Sequence, residues 1–256
     1  RDPEWMRVGA ELSEAAGADI IDINMGCPAK KVTGGQSGCA LMREPELARK
    51  LIAGTVAGTK RPVTVKMRLG WDEGSLNAPE IARIAEGEGA QMVTVHGRTR
   101  MQFYTGKATW DRIAAVVEAI DLPVIANGDI EDAATARAAL EQSGADGIMI
   151  GRGAEGRPWR LAEISNAVFG TPYRAPTPAQ KLESMLTQIA NSTELYGERL
   201  GVRVVRKHVA AFVDAWCEDL GLPQMAEARV ALCRIESPAM LRDELIAALG
   251  GRRDAA

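Results

Sequence analysis

Histidine and cysteine are scarce in this chain: two of the first, His96 and His208, and four of the second, Cys27, Cys39, Cys217 and Cys233, among 256 residues. The cysteines stand 12, 178 and 16 positions apart, with no Cys-x-x-Cys pair. Zinc-ligand spacing is therefore absent, no metal site is predicted, and reduced thiols in a cytoplasm are the expectation. There is no apolar run of about 18 residues or more and no signal-like N-terminal stretch, so neither a membrane span nor export is predicted. An excess of positive charge is lacking too: 31 basic against 34 acidic side chains give a net charge of -3. RNA recognition by such a chain requires a local basic patch. What remains is 46% apolar and 25% charged, ordinary for a globular protein and sufficient for a large core in one or two domains.

The most informative stretch is Ile20-Ile-Asp-Ile-Asn-Met-Gly-Cys-Pro28. Strand-like alternation sends Ile21 and Ile23 to one face and Asp22 and Asn24 to the other. The strand then turns at a Gly-Cys-Pro corner, where Gly26 permits close approach and Pro28 fixes the backbone. Cys27 thus sits at the carboxyl end of a strand, beyond an inward amide and beside Lys30 and Lys31. Those cations favour the thiolate and burial favours the thiol; in either form the group is placed to exchange a proton with a substrate. A lone cysteine is more often a small buried hydrophobe, so its neighbours decide.

The rest of the first 150 residues alternates strand and helix. Helices are expected at 5–16 (Trp5, Val8, Leu12 and Ala16 on one face), 45–57, 78–88, 110–120 and 133–142, and strands begin near 20, 62, 91, 123 and 146. Such βα alternation reads as a parallel sheet under helical cover. The spacing suits a (β/α)8 barrel, although a doubly wound sheet shares the pattern. Strand-end chemistry favours the barrel. Successive carboxyl ends carry Asn24 and Cys27, then Lys66 and Arg68, then Thr94 and His96, then Asn127-Gly128-Asp129, then Gly151-Arg152-Gly153. Taken singly, each has an ordinary structural explanation; five in register describe the mouth of a barrel active site. The last two groups suit an anion such as phosphate, with glycines admitting backbone N–H groups, Arg152 supplying charge, and the Gly153–Pro158 stretch leading into a helix.

Beyond the linker-like Gly170–Pro178, Thr177 caps a helix with Pro178 in its first turn. Leu182, Met185, Leu186 and Ile189 recur at helical spacing, as do Val205, Val209, Phe212, Val213 and Trp216, with two more helices near 225–235 and 238–249. Arg199, Arg203, Arg206 and Lys207 form a basic stripe on another face. The division expected is a catalytic domain at 1–170 and a small α-helical bundle at 171–256.

With these residues assembled, the chain resembles the tRNA-dihydrouridine synthases, most closely the bacterial B-type. The resemblance runs through Asp22–Val32, Val65–Arg68, His96-Gly-Arg-Thr-Arg100, Ile125–Asp129, Ile150–Arg152, Gly156-Arg-Pro-Trp159 and Arg206-Lys-His208. It implies FMN-dependent reduction of the 5,6 double bond of a uridine in the tRNA D-loop, with NADPH as reductant and Cys27 as the proton donor. Lys66 matches the lysine beside the flavin ring, while His96, Asn127, Gly128, Asp129, Gly151 and Arg152 match its ribityl and phosphate contacts. Asn24 and Arg68 match positions holding the target base. Arg98, Arg100 and Lys207 are expected RNA contacts, with Arg203 and Arg206 on a helical domain that grips tRNA. A cytoplasmic monomer is expected, with no membrane or metal.

The chain departs from the family in lacking the strand that carries a Leu-Ala-Pro-Met type motif and a later glutamine that touches the flavin. About three βα units, on the order of 80 to 90 residues, are unaccounted for. The expectation is thus an incomplete TIM-type barrel of about five C-terminal βα units, binding FMN weakly or not at all as it stands, with its own activity in question. Other readings are a flavin barrel acting on a free pyrimidine or enoate, and a non-catalytic RNA-binding relative.

Overall fold

In the computed structural model, which describes residues 1–250, the chain divides into two compact units, Arg1–Gly151 and Arg152–Ala256. The first is α/β. Its five strands are β1 (Ile21–Asn24), β2 (Val63–Arg68), β3 (Met92–His96), β4 (Val124–Asn127) and β5 (Gly147–Met149), all parallel and in chain order across one sheet. A doubly wound sheet reverses its strand order part-way; this one does not. The helices of this unit are α1 (Pro3–Ala15), α2 (Lys30–Gly34), α3 (Pro45–Ala57), α4 (Ala78–Gly87), α5 (Ala114–Val117) and α6 (Ala133–Ser143).

Register sorts the side chains. Asn24 pairs with Lys66, Lys66 with Thr94, Arg68 with His96 and His96 with Asn127, so the polar residues share one face. The alternate residues, Ile23, Val65, Met67, Val93, Val95 and Ala126, are buried on the other face with Ile52 of α3 and Ile81 of α4. An apolar face under helices drives the sheet together, and the same register delivers the polar row to one end.

Two expectations change here. On α1, Trp5 and Leu12 are 73% and 65% exposed, whereas Ala10 is buried and Met6 packs on the core. The cause lies on α3: a Cβ on Gly54 would come 2.5 Å from the Pro3 carbonyl oxygen, and one on Gly58 would come 2.2 Å from that of Arg7. Backbone-to-backbone packing on these glycines sets the roll of α1 and turns Trp5 outward. The helix expected over 110–120 is a 3-10 turn, Asp111–Ile113, running into the single turn of α5. It has no side-chain cap, its β-branched Val116 and Val117 favour helix weakly, and the Trp110 indole is held by the Gly128 carbonyl at 2.8 Å.

The second unit is helical: α7 (Arg160–Phe169), α8 (Pro178–Tyr196), α9 (Glu198–Asp219), α10 (Ala226–Arg234) and α11 (Pro238–Gly250). Thr177 and Gln180 close a reciprocal capping box at the start of α8. Leu182, Met185, Leu186 and Ile189 meet Val205, Val209, Phe212, Val213 and Trp216 in its core. Residues 152–170 group with these helices. A Cβ on Gly156 would strike the Ala211 carbonyl oxygen at 2.4 Å, Trp159 stands edge-on to Phe212 at 6.4 Å, and Arg157 pairs with Glu218 and Asp219. Among the described residues, no helix is long and apolar enough to cross a membrane.

Candidate active site

The corner after β1 is held from three directions. The Asn24 side-chain oxygen accepts the Gly26 N–H at 3.0 Å, and Arg68 Nε donates to the Gly26 carbonyl at 2.9 Å. The Cys27 carbonyl accepts the Cys39 N–H at 3.1 Å. Gly38 lies at φ 58°, where a Cβ would come 2.8 Å from the Cys27 carbonyl oxygen, so glycine is required there. Cys27 itself is half-exposed, on a backbone that cannot drift. Cys39 is fully buried beside Met42, and burial pushes its thiol up to about 11. Of the two neighbouring cysteines, Cys27 faces outward and Cys39 fills the core.

At the ends of β3 and β4 the polar groups lock one another. Arg98 is 2% exposed, and its Nη1 and Nη2 meet the two Asp129 oxygens at 2.9 and 2.5 Å. Nε donates to the Thr105 carbonyl at 3.2 Å, and Nη2 also donates to that of Gly106 at 2.6 Å. Nη1 lies 3.3 Å from His96 Nε2. Arginine only donates, so Nε2 accepts and the neutral ring carries its proton on Nδ1. Burial first, then the charges of Arg68, Lys66 and Arg98, push His96 down to about 3. Gly128, at φ 115°, would drive a Cβ to 2.6 Å from the His96 ring. The Asn127 amide donates to the Met149 carbonyl at 2.8 Å, tying β4 to β5.

Between these groups lies a set of cations. Lys66 is half-buried, with burial and the Arg68 charge lowering its pKa. Arg68, 1% exposed, donates to the Thr99 and Phe103 carbonyls at 2.9 and 2.8 Å and lies 5.5 Å from the Tyr104 ring. Burial lowers its pKa as well. Arg100 is clasped between Trp71 at 4.7 Å and Phe103 at 4.8 Å, and its Nη2 reaches the Thr33 hydroxyl at 3.1 Å. Its Nε is buried without a partner. Lys30 and Lys31 are exposed on α2. Among the described residues, none of these five forms an ion pair with a carboxylate.

The first unit thus brings Asn24, Cys27, Lys66, Arg68, His96, Arg98, Asn127, Gly128 and Asp129 to one end of the sheet. Arg98 and Arg100, expected to contact RNA, are 2% and 9% exposed and hold the 97–109 loop instead. Arg68, expected at the target base, clamps loop carbonyls. Gly151 closes the first unit and Arg152 opens the second, in a 3-10 turn Arg152–Ala154; both are exposed. On α9, Arg203 and Lys207 are exposed, while Arg206 is half-buried and donates to the Ile235 carbonyl at 3.2 Å. Sequence reasoning missed Thr33, Arg43, Trp71 and Phe103. The legible signal was an aromatic, Trp71, three residues past the end of β2.

The sequence model of the dihydrouridine synthase (Dus) family matches residues 1–243. The chain belongs to the dihydrouridine synthase family. The match takes in the sheet, the Cys27 corner and most of the helical unit. A protein of Rickettsia conorii named "Probable tRNA-dihydrouridine synthase" is 47% identical over 95% of this chain and 72% of its own length. One of the same name from Rhodobacter capsulatus is 54% identical over 82% of this chain and 67% of its own. The tRNA-dihydrouridine synthase B of Pseudomonas putida is 44% identical over 83% of this chain and 63% of its own. Among solved structures, a dihydrodipicolinate synthase from Agrobacterium tumefaciens aligns over 97% of this chain and 91% of its own at 15% identity and a TM-score of 0.46, too loose to add to the fold. Among the described residues, this dihydrouridine synthase family member groups no three His, Cys, Asp or Glu side chains suited to a metal.

Proposed function

We propose that this chain reduces the 5,6 double bond of a uridine in the tRNA D-loop, with FMN as cofactor, NADPH as the source of reducing equivalents and Cys27 as proton donor. The observation that carries the reading is the cation set around the Cys27 corner. Among the described residues, Lys30, Lys31, Lys66, Arg68 and Arg100 form no ion pair with a carboxylate, in a chain where acids outnumber bases, 34 to 31. The Arg68 charge works against that of Lys66, and the Arg98 charge against that of Arg68. An arriving polyanion relieves that repulsion. The named relatives add the kind of anion: they carry tRNA in their names.

The residues present fit a planar anionic cofactor, because Lys66 is half-buried beside Arg68 and forms no ion pair among the described residues, with burial and the Arg68 charge outweighing the opposing charge of Asp22. Lys66 would hold the flavin ring, and His96, Asn127, Gly128, Asp129, Gly151 and Arg152 the ribityl chain and phosphate. FMN, when bound, supplies a hydride to uridine C6. Cys27 would deliver a proton to C5, the atom left electron-rich. Asn24 and Arg68 act on the base through the corner: both fix the Gly26 peptide, which sets where the thiol points. His96, neutral at working pH, offers an N–H without adding to the crowded positive charge.

The same proposal takes the five sequentially ordered strands as an arc of a (β/α)8 barrel, the incomplete TIM-type barrel expected from sequence. It takes the helical unit as a grip on tRNA through Arg203, Arg206 and Lys207, in a cytoplasmic, monomeric enzyme. The test is incubation of the protein, FMN and NADPH with unmodified tRNA or with free uracil, followed by nucleoside analysis. Dihydrouridine should form from tRNA only. Equal reduction of free uracil would overturn the choice of substrate, and product from Cys27→Ala at the wild-type rate would remove the thiol from the chemistry.

A further inference from the structure

A cleft of about 520 Å³ opens against Met42, Arg43, Trp71, Asp72, Ser75 and Asn77. That volume lies within the range of small-ligand sites. The cleft joins the corner through a short physical chain. Arg43 ends the 3-10 turn Gly38–Arg43, whose Cys39 N–H donates to the Cys27 carbonyl. Its guanidinium carbon lies 4.8 Å from the Trp71 ring centre. The same ring stacks with Arg100, which reaches Thr33 on the helix after Cys27.

The acids near Arg43 are engaged elsewhere. Glu44 pairs with Arg1 at 2.5 Å, Glu46 lies 3.6 Å from Arg49, and Glu73 pairs with Arg112 at 2.6 Å. Asp72, inside the cleft, accepts the Gly74 N–H at 3.0 Å and the Ser75 hydroxyl at 2.7 Å on one oxygen. Arg43 is left exposed and, among the described residues, without a carboxylate. Its guanidinium lies over the Trp71 ring, whose face helps to hold it in place. Among the described residues nothing accepts from its N–H groups, and a guanidinium with free N–H groups can meet a phosphate with two parallel hydrogen bonds. A free fork, held in place before any ligand arrives, loses little entropy on binding.

We infer that this cleft is a subsite for one nucleotide of the RNA strand flanking the target uridine, with its phosphate on Arg43 and its sugar or base against Trp71, Ser75 and Asn77. The inference rests on tRNA being the substrate and names where a second part of that strand is held.

The test measures tRNA affinity between 50 and 200 mM salt for the full chain and its Arg43→Ala, Arg43→Lys and Trp71→Leu variants, with thermal melting to confirm each fold. Arg43→Ala should raise Kd about five- to tenfold and make the salt slope shallower by about one phosphate contact. Arg43→Lys should recover the slope but only part of the affinity, because an ammonium cannot fork. Trp71→Leu should weaken binding with the slope retained, since the charge stays but its support is lost. Arg43→Ala with wild-type Kd and slope, in a protein that still reduces tRNA, overturns the subsite and leaves the function standing. A wild-type chain that neither binds nor reduces tRNA overturns both.

Discussion

On the β3–β4 side of the sheet end, Arg98 meets both oxygens of Asp129 and two loop carbonyls; on the β1–β2 side, Arg68 and Arg100 meet carbonyls, a hydroxyl and aromatic rings. All three guanidinium groups are buried, yet their electrical states differ. Arg98 is neutralised inside the protein by Asp129, so that pair needs no ligand to balance its charge. The other side keeps its charge, held in place by neutral acceptors and ring faces that position a cation without cancelling it. On the closed half the Arg98–Asp129 pair braces the loops, and on the open half the cations keep charge that an anion can meet. Cys27 stands on the open half.

The largest effect that distinguishes the halves is chemical. Cys27→Ala should lower dihydrouridine formation by roughly a hundredfold or more, the scale of a lost general acid, with tRNA affinity within about twofold. Nucleoside analysis and a binding isotherm read the two quantities separately. A variant that loses both together would move Cys27 from chemistry to binding.

Next is the frame. Asp129→Ala strands the Arg98 charge in a buried site; breaking a buried pair costs about 3 to 5 kcal/mol. The lower figure applies, because the Asp129 side chain is 24% exposed and water reaches the vacated position. Urea unfolding should show a loss of about 3 kcal/mol. A loss below roughly 1 kcal/mol, the surface-pair range, would mean that the loop carbonyls alone satisfy Arg98.

His96 gives an effect of similar origin and slightly smaller size. Burial and the neighbouring cations hold its pKa down at about 3 in the folded chain, against 6.5 for an unperturbed imidazole, so between these limits the unfolded chain binds more protons. Stability from this residue is complete above pH 6.5 and falls with acidification toward pH 3. From pH 6.5 to 4.5 the loss is roughly 2 to 3 kcal/mol. Carboxylates titrate in the same window, so the measurement is the difference between wild type and His96→Asn. The variant should lose less stability over that interval; parallel curves would mean that the ring gains its proton without unfolding.

Much of this frame was readable beforehand. The Ile/Val alternation placed Ile23, Val65, Val93 and Val95 on one face, and register then brought Asn24, Lys66, His96 and Asn127 to the other. Thr177 and Gln180 formed their box because capping is decided within one turn. What could not be read was the state of each arginine. Arg98 and Arg203 are the same residue in the sequence, but Arg98 meets a carboxylate 31 positions away and Arg203 faces water. Likewise, the outward turn of Trp5 depends on Gly54 and Gly58, forty or more residues on. Tertiary contact settles such matters, and local pattern does not carry it.

The smallest effect asks whether the open half is strained without its ligand. Lys66 is half-buried, and its pKa is lowered by burial and by Arg68, with Asp22 opposing. Asp22 is itself bound to the Thr64 hydroxyl at 2.8 Å. Replacing the ammonium by a methyl of similar reach removes a charge that is repelled and partly desolvated, while the stem's packing is kept. Lys66→Met should therefore leave the ligand-free protein as stable as wild type, or more stable by up to about 1 kcal/mol. It should also weaken FMN binding in a flavin-fluorescence titration, because the lost cation is the one assigned to the ring. Asp129→Ala costs stability whether or not a ligand is present, so the two variants part in sign. If Lys66→Met instead unfolded more readily than wild type without ligand, Lys66 would belong to the frame, and the division between the halves would run on the other side of β2.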